Sequence, residues 1–133
     1  GIASGQLNPV FIGSAFNNMG IDAFMNFVTD DFPSPLDMPS VKVKNDKGED
    51  VEIKSDVAGS PLAHVFKVTS DSGIGDIFFF KVYSGSINSG DEVYNGARSQ
   101  IERIGHLMLM RGKERIEIAS VDAGDIAAIA KLK

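Results

Sequence analysis

Apolar and polar positions divide the chain into stretches with different periods. In Ile77-Phe-Phe-Phe-Lys-Val-Tyr-Ser84, Phe78, Phe80 and Val82 fall on one face of a strand, and Ile77, Phe79, Lys81 and Tyr83 on the other, because side chains alternate along a strand. Aromatic and β-branched residues suit such a surface, and three successive phenylalanines predict cover on both faces. Gly85, Asn88, Ser89 and Gly90 supply turn chemistry, and a returning strand follows at Asp91–Asn95. The strands expected from Leu62 onward are thus Ala63–Thr69, Asp76–Ser84, Asp91–Asn95, Gln100–Met110 and Ile126–Leu132. Short strands punctuated by glycines point to a barrel or sandwich.

Upstream the pattern differs. Pro9-Val-Phe-Ile-Gly13 is a short apolar run whose bounds suit a buried strand. Ile21, Phe24, Met25, Val28 and Phe32 recur at helical spacing, so Gly20–Phe32 reads as an amphipathic helix, with Asn17 or Asn18 as candidate cap. Pro33 and Pro35 end it. One strand and one helix cannot satisfy the strand's ladder, so residues 1–35 read as the tail of a larger α/β domain. Residues 36–61 read as a linker carrying a hairpin, with Val41, Val43, Val51 and Ile53 inward and Asp56–Pro61 as its last stretch. Residues 62–133 form the β domain.

Composition narrows the class without naming a function. The 133 residues are 43% hydrophobic and 23% charged, which is ordinary for one globular domain with an appendage. The net charge of −5 argues against a dedicated nucleic-acid binder. No apolar run nears the length of about 18 residues that a membrane helix needs, and no leader pattern is visible. With no cysteine, disulfides and thiolate sites are excluded. A cytoplasmic location fits. The chain starts at Gly1 without methionine, which suggests an excised fragment.

Few residues offer chemistry. His64 and His106 are single and lie in strand patterns, with no third ligand type beside them, so no metal site is expected. Asp122 and Asp125 flank Gly124 and are expected to make turn hydrogen bonds. Arg98, Arg103, Arg111, Lys113 and Arg115 form the one basic concentration. It reads either as a solvated rim balanced by Glu102, Glu114 and Glu117 or as a patch for RNA phosphates. No Gly-x-x-x-x-Gly-Lys-[Ser/Thr] occurs, so phosphates and magnesium have no cradle and GTP hydrolysis by this chain alone is not expected.

Two blocks carry a family resemblance. PVFIGSAFNNMGIDAFMNFVTDDFPSPLDMP, beginning at Pro9, resembles the end of the GTPase domain of elongation factor G. FKVTSD, FFFKVYSGSINSGDEVYN, ERIGHLMLM and GKERIEIASVDAGDIAAIAKLK resemble that factor's second domain. The chain departs from the family at the short Met110–Ile116 loop, at Asp71–Gly75 and at the Val41–Lys54 hairpin, which suggests a divergent relative. The resemblance implies a mainly β chain: a Greek-key β-barrel, which in the family continues past Lys133 to a closing strand, preceded by the last strand and helix of an α/β GTPase domain. It implies that Gly13, Ser14 and Ala15 lie beside guanine, a backbone N–H near Ala15 donating to the guanine carbonyl, once the rest of that domain is present. GTP or GDP with magnesium then belongs to the intact parent, with no cofactor for this chain. Implied partners are the ribosome, through ribosomal RNA of its small subunit, and the rest of the GTPase domain, with no membrane. The implied function is to couple GTP hydrolysis to movement of tRNA and mRNA. Alternatives are a ribosome-protection or release-type GTPase, or a non-catalytic ribosome-binding module.

Overall fold

A computed structural model describes residues 1–130 apart from 3 and 46. The described chain is mainly β with one helix, and it divides into two compact units between Asp37 and Met38.

In the first unit, α1 (Ile21–Asp31) forms within one residue of the stretch its periodicity marks. Phe11 meets Phe24 and Phe27 edge to face at centroid distances of 5.3 and 4.9 Å, and Phe27 meets Phe32 at 5.7 Å. Such geometry matches aromatic quadrupoles. Phe32 has left the helix (φ −80°, ψ 141°) ahead of Pro33, whose ring excludes helix from the residue before it. The cap is not Asn17 or Asn18: Gly20 takes the position in left-handed conformation, with no side-chain cap bond among the described residues. The Asn17 N–H instead bonds the Ser14 hydroxyl, and Asn18 sits at φ 53° within the turn. Pro9–Gly13 is not a strand. Its backbone finds no ladder partner among the described residues, Val10 and Ile12 are 88% and 97% exposed, and only the Ser14–Met19 bridge follows. Apolar composition cannot hold a strand whose N–H and C=O groups are unpaired.

In the second unit, β1 (Val41–Lys44) and β2 (Asp50–Ile53) form the expected hairpin, Val41 opposite Ile53 and Val43 opposite Val51. These four are half-buried while Lys42 and Glu52 stay exposed. Asn45 helps to shape the turn, its Oδ1 accepting the N–H groups of Lys47 and Glu49.

The main sheet contains β3 (Leu62–Asp71), β4 (Gly75–Ser84), β8 (Leu107–Arg111), β9 (Glu114–Ile118) and β11 (Ile126–Ala130), in the order β3-β4-β11-β8-β9 and antiparallel throughout. Two separate antiparallel ribbons accompany it: β5 (Ser86–Asn88) with β10 (Ser120–Asp122), and β6 (Glu92–Asn95) with β7 (Gln100–Arg103). β4 behaves as its pattern predicts. Phe80 and Val82 enter one core with Ile87, Ile104, Leu107, Val121, Ala127 and Ile129, and Phe78 packs against it. Ile77 enters a second cluster with Met108 and Ala128 on the opposite face, with Phe79 packed against it.

Three strand expectations need correction. The return at β6 does not pair with β4, whose neighbours are β3 and β11. Gln100–Met110 is two strands: the chain changes partner at Ile104, whose N–H and carbonyl bond Asp91 and Gly90, so β7 serves β6 and β8 serves β11. β5, β9 and β10 were not expected, being short and set close to turns. Of the last expected strand, Lys131 and Leu132 lie outside the described residues. Asp122 and Asp125 make the expected turn bond, the Asp125 N–H donating to the Asp122 carbonyl at 3.0 Å, and the Asp122 carboxylate also accepts from Ser86 across the ribbon at 2.7 Å.

The Asp56–Pro61 stretch is pinned, not loose. The Asp56 carbonyl accepts from the Gly85 N–H at 2.7 Å and the Gly59 N–H at 3.1 Å. Gly85 has φ 69°, and a Cβ there would stand 2.6 Å from Pro61 N and 2.7 Å from the Gly59 carbonyl. Only glycine combines that conformation with that approach.

Candidate functional site

Three places gather the residues that chemistry could use. The first is the turn at Gly13-Ser14-Ala15. Ser14 and Met19 exchange both backbone hydrogen bonds at 2.9 and 3.0 Å, and the Ala15 carbonyl accepts from Asn18 at 3.3 Å. A Cβ at Gly13 would meet the Met19 carbonyl at 2.6 Å, so the bridge needs glycine. The Ala15 N–H has no hydrogen-bond acceptor among the described residues, and Ala15 is exposed. The turn therefore leaves a backbone donor unpaired among the described residues, on an exposed residue.

The second place is the basic set, which the fold distributes over two hairpins. Arg98 lies in the β6–β7 turn, where its N–H bonds the side-chain carbonyl oxygen of Asn95 at 3.2 Å. Arg103 ends β7 opposite Glu92. Arg111 and Lys113 sit at the β8–β9 tip, Arg111 opposite Glu114. All four are exposed. Arg115 is engaged: its Nη2 lies 2.6 Å from the Asp71 carboxylate, joining β9 to the β3–β4 turn, although β3 and β9 are the two edges of the sheet. The Gly73 N–H, then the Arg115 bond, hold the Asp71 carboxyl below the ordinary carboxylate range, with help from the Ile74 N–H. The five cations thus lie on two hairpins, and Arg115 alone among them is tied to a carboxylate among the described residues. A phosphate approaching Arg115 must compete with Asp71.

The third place was not found in the sequence. A groove of about 800 Å³ opens between β3 and the β6–β7 hairpin. Phe78, Phe80, Ile129 and Val65 supply its apolar surface and Glu102 lies in its wall. Glu102 is 7% exposed. Its Oε1 accepts from Asn95 Nδ2 at 2.8 Å and Gln100 Nε2 at 3.1 Å, while Oε2 has no partner among the described residues. The Gln100 and Asn95 donors, with the Arg98 charge, outweigh desolvation and lower its pKa. Sequence reasoning placed Glu102 on a solvated rim. The available signal was Asn95 and Gln100 facing each other across the ribbon, which brings two amides to one carboxylate.

The histidines stay apart. His64 is exposed on β3, and His106 is exposed and bonded through Nδ1 to Glu117. Among the described residues no group of three metal-ligating side chains forms.

Comparison with known proteins adds two findings. The family described as "Elongation factor G domain 2" matches residues 61–133. A crystal structure of a protein from Thermus thermophilus superposes with a TM-score of 0.63 at 24% identity, over 92% of this chain and 16% of that one. That likeness shows a shared fold. The chain spans about a sixth of that protein's length.

Proposed function

Because the chain belongs to the elongation factor G domain 2 family, we propose that it works within a longer translational GTPase, in the cytoplasm, as the barrel that docks on the ribosome. The observation that carries this reading is the family match across 61–133, which takes in the whole of the five-stranded sheet as described. Residues 1–35 would supply the end of the GTPase domain and 36–61 the linker. In that setting the N–H of Ala15, which follows Gly13 and Ser14 and has no acceptor among the described residues, would donate to guanine. GTP with magnesium would be cradled by the parent's remaining GTPase residues, since no phosphate loop occurs here.

The barrel's part is mechanical. Asp56 and Gly85 tie the incoming stretch to the end of β4, so a displacement of that stretch would be passed to the sheet. Arg111 and Lys113, at an exposed hairpin tip, are the cations best placed to meet phosphates of small-subunit RNA, with Arg98 and Arg103 as a second set. In the full protein this serves hydrolysis-coupled movement of tRNA and mRNA.

Co-sedimentation of the 133-residue chain with small ribosomal subunits tests the docking step. Saturable binding that weakens with salt is expected. Equal recovery with large subunits, or no recovery at low salt, would overturn it. Ribosome-stimulated GTP hydrolysis by the longer protein tests the coupling separately.

A further inference from the structure

The two oxygens of Asp71 serve different segments. Oδ1 accepts the N–H groups of Gly73 and Ile74 at 2.8 and 3.3 Å and so shapes the β3–β4 turn, while Oδ2 lies 2.6 Å from Arg115 Nη2 on β9. The turn has a second hold on the sheet, because Ile74, like Met110, packs against the cluster of Ile77, Met108 and Ala128. Opening the ion pair therefore removes neither the turn's own hydrogen bonds nor its apolar seat. The pair is open to solvent, its Arg115 and Asp71 side chains 41% and 33% exposed, and exposed ion pairs add little to stability. Nη2 makes the one side-chain bond of Arg115 among the described residues, so the other guanidinium donors stay open. Arg115 stands two residues from Lys113, on the hairpin whose tip also carries Arg111. The hairpin's own carboxylates are placed elsewhere: Glu114 stands opposite Arg111, and Glu117 is bonded to His106. Asp71 is thus the acceptor that an incoming anion must displace.

We propose that Asp71 occupies the place of an RNA phosphate on Arg115, and that docking exchanges this carboxylate for a phosphate, so that Arg115 joins Arg111 and Lys113 as a third cation only in the bound state. The inference rests on the docking reading above. Carboxylate and phosphate offer a guanidinium the same kind of acceptor, so one can replace the other at Arg115. Exchange is favoured where Arg111 and Lys113 already hold phosphates of the same strand, because the third contact is then intramolecular. A lone anion lacks that help and leaves the pair closed.

The test is a double-mutant cycle, read by co-sedimentation of the 133-residue chain with small ribosomal subunits across a salt series. Asp71→Asn keeps an oxygen for the turn's N–H groups and removes the competing charge. It should tighten binding about threefold or more, and Arg115→Gln should weaken binding and flatten the salt slope by about one. In the Arg115→Gln background, Asp71→Asn should change affinity by less than about twofold. Asp76→Asn loses the same charge beside the same turn, where Asp76 bonds Ser70 and not Arg115, and should also stay within about twofold. Equal tightening by Asp71→Asn in both backgrounds, or the same tightening by Asp76→Asn, would assign the effect to general charge and overturn the exchange. An unchanged slope for Arg115→Gln would mean that Arg115 stays on Asp71 in the complex, and would overturn it too. Absence of binding by every form would overturn the docking reading and the exchange with it. Salt-dependent binding that none of these substitutions alters would overturn the exchange alone.

Discussion

Gly85 offers a sharp test of how the barrel is assembled. Its φ of 69° would strain any L side chain, and a Cβ would lie 2.6 Å from Pro61 N and 2.7 Å from the Gly59 carbonyl, both backbone atoms. Gly112 at the β8–β9 tip shares the first property, with φ 60°, but a Cβ there meets nothing within 4 Å. Comparing Gly85→Ala with Gly112→Ala therefore separates the clash from the dihedral. Left-handed backbone costs alanine roughly 1–2 kcal/mol, offset by about 0.4–1 kcal/mol from a less disordered unfolded chain. Gly112→Ala should then cost about 0–1.6 kcal/mol. Gly85→Ala adds overpacking of roughly 1–3 kcal/mol and weakens the 2.7 Å bond to the Asp56 carbonyl, worth about 1 kcal/mol. A total of about 2–6 kcal/mol follows. The assay is urea unfolding followed by far-ultraviolet dichroism. With a slope of about 1–3 kcal/mol per molar, Gly85→Ala should move the midpoint by about one molar or more, and Gly112→Ala by much less. Equal costs would show that Asp56–Pro61 yields freely, and the proposed mechanical link through this stretch would fail with it.

Other predictions follow from the same structure. Leu107 is fully buried and Leu109, two residues along, is 41% exposed, so Leu107→Ala should cost about 2–5 kcal/mol and Leu109→Ala clearly less, read from the same unfolding curves. The Asp71 pKa is lowered by the Gly73 N–H and Arg115; its contribution to stability is present above the unfolded value of about 3.9 and is lost as pH falls through the lower folded value. The stability gap between the protein and Asp71→Asn should thus be flat near neutrality and close in acid, and a gap that grew on acidification would refute the assignment. Arg111→Glu with Lys113→Glu should reduce the salt slope of ribosomal-subunit binding by about one to two, and an unchanged slope would clear that tip. A peptide of residues 1–35 should show weak amide-exchange protection, since α1 has no buried residue, and strong protection would contradict this.

How much could be read beforehand depended on whether a residue's fate was set locally. Alternation in Ile77–Val82 specified two buried faces, and both clusters formed as that pattern demands. The periodicity of Ile21, Phe24, Met25 and Val28 likewise specified α1. Pro9–Gly13 was misread because an apolar run describes what a strand would bury but not whether a ladder exists to receive it. Gln100–Met110 was misread as one strand because the change of partner at Ile104 depends on Asp91 and Gly90, which lie outside that segment.

The candidate sites divide in the same way. The need for glycine at position 13 follows from a close approach to Met19, a few residues along the chain, and local sequence can carry that. The state of Arg115 and of Glu102 cannot be local. Asp71 reaches Arg115 across a separation of 44 residues, and Glu102 is engaged by amides from two strands in the wall of a groove. Arg115 was read as a rim charge or an RNA contact and Glu102 as a rim charge balancing it, and the fold turned one into an edge-to-edge tie and the other into a wall of the groove. Charge runs in a β-barrel are therefore poor guides to a binding face until pairing is known. Strand register assigns each charge its neighbours, and the neighbours decide whether it remains available to a partner.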